Sequence, residues 1–181
     1  MEAQILLWIQ DNLRQPWLDP VVKGITYLGE AGWIWILISV ILLATKQYRK
    51  TGIACGTSLI LDLLSVNLVV KNIFCRVRPY DAIEGLSRIV GKQSDFSFPS
   101  GHTAASFAVA VVLLLRAPKK ISIPATVVAV LISLSRLYVG VHYPTDVLGG
   151  AVIGTVCAFL AVWIVDAVEK KIKKRKMKNE E

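Results

Sequence analysis

The run VLGGAVIGTVCAFLAVWIV, residues 147–165, carries no charged side chain and decides the class of fold. A helix that crosses the hydrocarbon core of a bilayer needs about 20 mainly apolar residues. This run comes close to that length without help from its flanks. It therefore predicts a transmembrane helix, in which every backbone polar group is paired within the segment.

Other apolar runs precede this one, and together they predict a helical bundle. They are the charge-free blocks 33–45, 103–115 and 121–134, the block 51–70 with its single Asp62, and a weaker candidate at 17–29. Most are shorter than a straight span and need polar flanks, tilt or local thinning of the bilayer to cross. We expect an all-α integral-membrane bundle of about six transmembrane helices.

The first residues of the chain predict an amphipathic helix at the membrane surface. Leu6, Ile9 and Leu13 fall on one side of a helix over residues 3–13, and such a helix lies in the interface with its apolar side towards the lipid. A cleavable signal peptide begins with basic residues, whereas this segment carries Glu2. We expect the helix to be retained.

The composition limits the classes of partner. Of the 181 residues, 54% are hydrophobic and 19% are charged, with a formal net charge of +8. This length favours one domain over residues 1–181, and the apolar content excludes a disordered chain. Nucleic-acid binders carry basic stripes on a polar surface. We therefore expect the bilayer, and no nucleic acid, as the partner.

Most of the basic residues lie where membrane topology explains them. They are concentrated in residues 46–50 and 116–120 and in a tail at 169–181. The positive-inside rule places these segments in the cytoplasm, in a multi-pass protein of the plasma (inner) membrane. The tail then serves as a solvated anchor near anionic lipid.

Basic residues also lie on the opposite, extracytoplasmic face, where topology alone predicts few. In or beside the links that face this side of the membrane are Lys71, Arg76, Arg78, Arg88, Lys92 and Arg136. Among them, Lys71, Arg78 and Arg136 belong to polar clusters. Their position therefore needs an explanation other than topology.

The first cluster is KNIFCRVRP, residues 71–79. Lys71 and Arg78 are seven residues apart, close to two helical turns, so we expect both to project from one face of a helix. Pro79 restricts the backbone of Arg78 and ends or redirects that helix. Two interfacial cations that snorkel towards water would give the same pattern.

The second cluster is FPSGHT, residues 98–103, directly before an apolar block. Ser100 stands in the N-cap position, and Gly101 permits a close approach of the backbone. His102 falls in the first turn of a helix whose free N–H groups form an anion site. A capped helix start without a catalytic role is the alternative.

The third cluster is SRLYVGVHYPTD, residues 135–146. His142 and Asp146 are four residues apart, and Pro144 suits a first helical turn. A carboxylate one turn on can accept a proton from one imidazole nitrogen and leave the other free as a nucleophile or base. Arg136 adds a planar donor that matches phosphate oxygens. A surface His–Asp pair at a helix start is the alternative.

Taken together, the three clusters resemble the signature of the phosphatidic acid phosphatase type 2 superfamily. The matching parts are Lys71-x6-Arg78-Pro79, Pro99-Ser100-Gly101-His102 and Ser135-Arg136-x5-His142-x3-Asp146. The resemblance implies that His142 attacks phosphorus and forms a phosphohistidine, that Asp146 orients it, and that His102 protonates the leaving oxygen. It also implies that the phosphoryl oxygens are held by Lys71, Arg78, Ser100, the backbone N–H of Gly101, and Arg136.

The implied activity is that of a metal-independent membrane phosphatase without a cofactor. Its substrate would be a lipid phosphate or diphosphate such as undecaprenyl pyrophosphate, phosphatidic acid, phosphatidylglycerophosphate or a lipid A phosphate, hydrolysed at the extracytoplasmic face. A non-catalytic lipid-phosphate binding or transport protein is the alternative. A vanadate-dependent haloperoxidase shares the anion pocket, but the long apolar blocks argue against that soluble branch.

Asp62 lies near the middle of an apolar run, where a carboxylate is costly and often functional. At 100° per residue it falls opposite Lys71 on an α-helix. We therefore expect it to face away from the phosphate site and to serve packing, either protonated or bonded to Ser58 or Ser65.

Overall fold

The computed structural model describes residues 1–180, with side chains through Lys178, and the predicted tail at 169–181 thus reaches one residue beyond the described part. Helices and loops make up that part of the chain. The helices are α1 (Glu2–Leu13), α2 (Asp19–Leu28), α3 (Trp33–Ala44), α4 (Arg49–Leu63), a π-helix (Leu64–Val70), α5 (Lys71–Phe74), α6 (Pro79–Ala82), α7 (Gly101–Arg116), α8 (Lys119–Tyr138) and α9 (Pro144–Glu180), with a 3-10 turn at Glu30–Gly32.

Helix α7 forms the centre of the bundle and packs against α4, α8 and α9. Its inner residues, among them Val109 and Leu113, are fully buried. Close packing with α9 depends on Gly154, since a Cβ there would lie 2.2 Å from the carbonyl oxygen of Ala104. The two helices that begin at the second and third clusters are therefore pressed together.

The outer surface of the bundle is apolar, as the bilayer requires. On α9, a stripe of large side chains at helical spacing remains exposed: Leu148, Val152, Val156, Phe159 and Trp163. Small residues such as Gly154 and Ala158 occupy the opposite, inward side. Apolar side chains therefore pack both in the protein interior and on the surface that faces lipid.

The prediction of a helical membrane bundle is confirmed, but the count of six spans is not. Within the described residues, three helices, at Arg49–Ala82, Lys119–Tyr138 and Pro144–Lys178, are long and apolar enough to cross a membrane. A fourth span results if α2 and the Glu30–Ala44 segment, bent by 43°, are counted as one. At 1.5 Å per residue, neither is long enough alone to cross a core of about 30 Å. Gly101–Arg116 is a shorter apolar helix.

The three basic segments of the sequence meet at one end of the bundle. The ammonium group of Lys50, in the first turn of α4, pairs with Glu169 in the second half of α9. Arg116, at the end of α7, pairs with Asp166 and donates to the carbonyl oxygen of Val162 at 3.2 Å. We call this the tail end. The three polar clusters lie at the other end, which we call the site end.

Between Asp62 and Lys71 the chain leaves α-helical geometry. Residues Leu64–Val70 form a π-helix, whose wider turn advances each residue by roughly 80–85° instead of 100°. The arithmetic that placed Asp62 opposite Lys71 therefore does not hold. Asp62 is buried, and its Oδ1 has no hydrogen-bond partner. Ser58 donates instead to the carbonyl oxygen of Cys55, so Ser58 is not the partner, while protonation of Asp62 or a bond to Ser65 stays a prediction.

Candidate active site

Lys71 and Arg78 reach the same point by a route that the sequence did not predict. Helix α5 ends at Phe74, and Cys75 takes a left-handed conformation with φ 44°. Arg78 follows in extended backbone as the N-cap of α6, with Pro79 in the first helical position. The expectation of one continuous helical face for Lys71 and Arg78 is therefore wrong. The break at Cys75 brings the two side chains together instead.

Both cations bind one carboxylate. The ammonium group of Lys71 pairs with Oδ2 of Asp95, and Nη2 of Arg78 lies 2.5 Å from its Oδ1. Nε of Arg78 also donates to the backbone carbonyl of Asp95 at 3.0 Å. Lys71 and Arg78 are buried, whereas the Asp95 side chain is 45% exposed. An anionic side chain from the outer loop thus occupies a binding site for anionic oxygens.

The imidazole of His142 lies between a carboxylate and a guanidinium. Its Nδ1 is 3.4 Å from Oδ2 of Asp146, and its Nε2 is 3.2 Å from Nη1 of Arg78. Because Arg78 is only a donor, Nε2 must accept, which leaves the proton on Nδ1 facing Asp146. Nη1 of Arg78 also donates to the carbonyl oxygen of Val141 at 2.9 Å. The lone pair of Nε2 therefore points into the cationic pocket, where it accepts from Arg78 and becomes free to attack only when Arg78 turns to a ligand.

Asp146 is fully buried and surrounded by donors. Its Oδ2 accepts from the hydroxyl of Ser97 at 2.5 Å and from the backbone N–H of Tyr143 at 2.8 Å. Its Oδ1 accepts from Nη1 of Arg76 at 2.6 Å. The backbone carbonyl of Asp146 accepts from the N–H of Ser100 at 3.0 Å, so the second and third clusters are bonded directly.

The start of α7 has the predicted form. Ser100 is the N-cap, and its hydroxyl accepts from the N–H of Thr103 at 3.4 Å. A Cβ on Gly101 would lie 3.6 Å from Nζ of Lys71, so this backbone directly adjoins the ammonium group. The open N–H groups of the first turn and the Lys71 cation therefore converge.

Arg136 and His102 each have a buried nitrogen without a hydrogen-bond partner. Arg136 is 2% exposed and donates from Nη1 to the hydroxyl of Thr26 at 2.7 Å, but its buried Nε has no partner. The buried Nε2 of His102 also has none. Buried polar atoms without partners are costly, and both of these atoms belong to residues of the predicted site.

The electrostatics favour a neutral imidazole beside an ionised carboxylate. Burial lowers the pKa of His142 to about 3, and the cations Arg78 and Arg136 add to this effect against the opposing pull of Asp146. Burial alone would raise the pKa of Asp95, but hydrogen bonds and charge from Lys71 and Arg78 outweigh it and hold that pKa at about 2. A neutral His142 at physiological pH keeps the Nε2 lone pair available.

The structure brings all eight sequence-predicted residues to the site end and adds others that the sequence did not identify. The additions are Thr26 behind Arg136, Arg76 and Ser97 on Asp146, and Asp95 between Lys71 and Arg78. One feature of the sequence pointed to Arg76: it is a basic residue on the face of the membrane where topology predicts few. Within the described residues, no group of three His, Cys, Asp or Glu side chains is arranged for a metal ion.

Comparison with known sequences gives consistent results. A family model described as the PAP2 superfamily matches residues 51–170. Phosphatidylglycerophosphatase B of Bacillus subtilis is 37% identical over 182 residues, which cover 92% of this chain and 82% of that protein. An undecaprenyl-diphosphatase of Sulfolobus acidocaldarius is 37% identical over 132 residues, and the match covers 73% of this chain but only 64% of that protein.

Solved structures with the same fold belong to similar proteins. LpxE of Aquifex aeolicus superposes with a TM-score of 0.79 and 28% identity, covering 89% of this chain and 94% of that one. A transmembrane PAP2-type phosphatidylglycerolphosphate phosphatase of Bacillus subtilis gives a TM-score of 0.72 and 32% identity, covering 94% and 85% of the two chains.

Proposed function

The chain belongs to the PAP2 superfamily and is an integral-membrane phosphatase, and from this premise we propose that it hydrolyses a lipid phosphate or diphosphate through a phosphohistidine at His142. The observation that carries the proposal is the geometry of His142. One nitrogen faces a buried carboxylate, and the other faces a pocket of cations. Relatives act on undecaprenyl diphosphate and on lipid A phosphates, as their names state.

In the first step, Nε2 of His142 attacks phosphorus, and the bond from phosphorus to the leaving oxygen breaks. The proton on Nδ1 remains directed at Asp146, which stabilises the positive charge that develops on the imidazole. The leaving oxygen takes a proton from His102, whose Nε2 has no protein partner. In the second step, water attacks phosphorus, its proton passes to His102, and the bond from phosphorus to Nε2 breaks.

The cations do the electrostatic work of the reaction. Phosphoryl transfer spreads negative charge over the equatorial oxygens, so catalysis rests mainly on positioning and charge stabilisation. Lys71, Arg78 and Arg136 supply this charge, and the first turn of α7, from Ser100 and Gly101, supplies backbone donors. The substrate must displace the Asp95 carboxylate to reach Lys71 and Arg78.

The site would lie at the extracytoplasmic interface, with the basic tail end in the cytoplasm. Support comes from the concentration of Lys and Arg at the tail end and from the positive-inside rule. A lipid can then keep its chains between the exposed apolar helix faces while its headgroup enters the site. We propose a single catalytic domain over residues 1–181, with the bilayer as its environment.

The proposal is tested with purified protein in detergent and a panel of lipids: undecaprenyl pyrophosphate, phosphatidylglycerophosphate, phosphatidic acid and lipid A. We expect phosphate release from at least one of them and none above background from His142→Ala. Rapid quenching with radiolabelled substrate should trap an acid-labile phosphoenzyme in the wild type only. Release by His142→Ala near the wild-type rate would refute the mechanism.

The role of His102 has its own test. We expect His102→Ala to lose far more activity on a lipid monoester, whose alkoxide leaving group needs a proton, than on p-nitrophenyl phosphate, whose leaving group does not. An equal loss on both substrates would show that His102 does not act as the acid. A non-catalytic binding protein, the alternative function, would release phosphate from none of these substrates.

A further inference from the structure

Arg76 is a cation of the site end that the phosphate pocket does not use. Its Nη1 donates to Oδ1 of Asp146 at 2.6 Å and to the hydroxyl of Thr145 at 2.7 Å. The other carboxylate oxygen, Oδ2, is the one that faces Nδ1 of His142. Arg76 thus holds the Asp146 carboxylate from the side opposite the imidazole.

Arg76 is itself fixed by Glu2 of α1 and by Tyr143, which directly precedes α9. Its Nη2 donates to Oε2 of Glu2, on α1, at 2.7 Å, and its guanidinium lies 3.8 Å from the centre of the Tyr143 ring. Glu2 uses its second oxygen to accept from the backbone N–H of Thr145 at 3.1 Å and from its hydroxyl at 2.7 Å. A closed set of bonds therefore joins α1, the α5–α6 link and the start of α9.

Burial separates this arrangement from an ordinary surface ion pair. Exposed pairs contribute little because water and salt screen them, and the Arg76–Glu2 pair is about 30% exposed on both sides. The Asp146 side chain, by contrast, is 0% exposed. The contact between Asp146 and His142 is long, at 3.4 Å. Ser97 and the N–H of Tyr143 hold Oδ2 of the carboxylate, and the bond from Arg76 to Oδ1 fixes the second oxygen and with it the plane of the group.

On the basis of the phosphohistidine mechanism proposed above, we propose that Arg76 is a positioning residue. It fixes the orientation of the Asp146 carboxylate, which faces Nδ1 of His142 and acts together with the Arg78 donor at Nε2 to keep the proton on Nδ1. Glu2 fixes Arg76, so the amphipathic helix α1 supports the reaction centre. Arg76 makes no contact with the cations Lys71, Arg78 or Arg136, and its loss leaves their hold on phosphate intact.

Steady-state kinetics provide the first test. We expect Arg76→Gln to lower kcat by about 10- to 100-fold, the usual range for a group that orients a reacting residue, with KM changed by less than about threefold. Arg76→Lys should recover part of the loss, because the ammonium keeps the charge but lacks the planar fork that reaches Asp146 and Glu2 from two separate nitrogens. Glu2→Gln should lower kcat several-fold.

Arg88→Gln is the matched control. Arg88 also lies in the outer part of the chain, but it donates to the carbonyl oxygen of Val90 at 2.8 Å and lies over the ring of Tyr80. It contacts none of the residues placed in the reaction. We expect its kcat and KM to equal those of the wild type.

A second readout does not depend on turnover. The chain contains two histidines, so ¹⁵N-histidine labelling gives two imidazole signals, which His102→Gln assigns. At neutral pH we expect the Nδ1–H form of His142 in the wild type and in Arg88→Gln, and a mixture of the two tautomers in Arg76→Gln and Glu2→Gln. If Arg76→Gln does not fold, Arg76→Lys and Glu2→Gln carry the test.

The outcomes separate the two proposals. A wild-type protein that releases no phosphate from any lipid refutes the proposed function. An active wild type with an Arg76→Gln variant of normal kcat refutes the positioning role alone. A fall in kcat with an unchanged tautomer of His142, or a rise in KM as large as the fall in kcat, also refutes it, because the effect is then on folding or on phosphate binding.

Discussion

The two ends of the bundle carry the same kinds of basic residue in opposite surroundings. At the tail end, the side chains of Lys50 and Lys173 are 64% and 71% exposed, and both share Glu169. At the site end, the side chains of Lys71 and Arg78 are 8% and 5% exposed. Water solvates the first group at no cost to folding, whereas the second must find partners inside the protein.

The two groups show how basic residues that set membrane topology can be distinguished from basic residues that belong to the site. The tail-end residues Lys50 and Lys173 are exposed and share one carboxylate, as expected of charges that act by their number. The site-end residues are individually held, and some of their donors, such as Nε of Arg136, are left for a ligand. The burial of a cation, more than its side of the membrane, marks it as part of the site.

The largest effect should come from removing one site-end guanidinium. Arg78→Gln takes away the donors that reach Asp95 and Nε2 of His142, and we expect kcat/KM to fall by about 10³-fold, as for other single donors to developing charge. Arg116→Gln, its tail-end counterpart, should stay within about twofold. Phosphate release in detergent measures both, and similar losses would abolish the distinction between the two ends.

A smaller effect should come from the hydroxyl behind Arg136. Thr26→Val keeps the shape but removes the acceptor at 2.7 Å from Nη1, which leaves a buried donor unpaired and the guanidinium less well aimed. We expect a loss of about tenfold in kcat/KM, since a buried hydrogen bond to a charge is worth about 1.5 kcal/mol or more. Thr26→Ser should restore activity. If the kcat/KM of Thr26→Val equals that of the wild type, packing alone positions the guanidinium of Arg136.

Replacing Asp95 tests whether its carboxylate competes with phosphate, because the two possible roles of Asp95 predict opposite changes in anion affinity. Because its carboxylate occupies Lys71 and Arg78, Asp95→Asn should free both cations and lower the inhibition constants of vanadate and inorganic phosphate several-fold. The measurement is inhibition of phosphate release at constant ionic strength. Weaker inhibition in the variant would mean that Asp95 holds the two cations in place and does not compete with phosphate.

The smallest effect concerns stability against pH. Since the pKa of His142 is lowered to about 3 in the folded protein, from 6.5 in the unfolded chain, only the unfolded chain takes up a proton between these values. The contribution of neutral His142 is therefore complete above pH 6.5 and decreases as the pH falls towards 3, by at most about 1.4 kcal/mol per pH unit.

Thermal unfolding in detergent at pH 7.5 and pH 5.0 measures this dependence. We expect the wild type to lose more of its Tm than His142→Gln over that interval, with His102 present in both proteins. If the two proteins lose Tm equally, groups other than His142 cause the sensitivity to acid. At the tail end, Lys50→Gln should leave the difference between the two pH values unchanged.

Much of the site could be predicted because its features are local in the chain. The N-cap at Ser100, the helix start at Pro144 and the four-residue spacing of His142 and Asp146 each depend on neighbours within one turn. Such short-range rules are read directly from sequence. The apolar runs likewise gave the membrane bundle, although α2 and α3 are too short to count as separate spans.

The rest of the site depends on contacts between distant segments. Thr26 meets Arg136 across 110 residues, and Asp95 meets Lys71 across 24 residues through a loop without a regular period. No periodicity records such contacts, because they arise only when helices pack. The bond from Arg76 to Asp146 is of the same kind.

The π-helix affects how far a match of motifs can establish a match of active sites. Lys71, the first residue of the signature, is aimed by residues Leu64–Val70 that precede it and belong to no motif. Deleting one residue from this π-helix would turn Lys71 by roughly 80–85° if the π geometry is kept, while every signature residue and every spacing between them would be unchanged. A chain with a perfect signature can therefore lack a working pocket, and the length of this helix has to be compared along with the motifs.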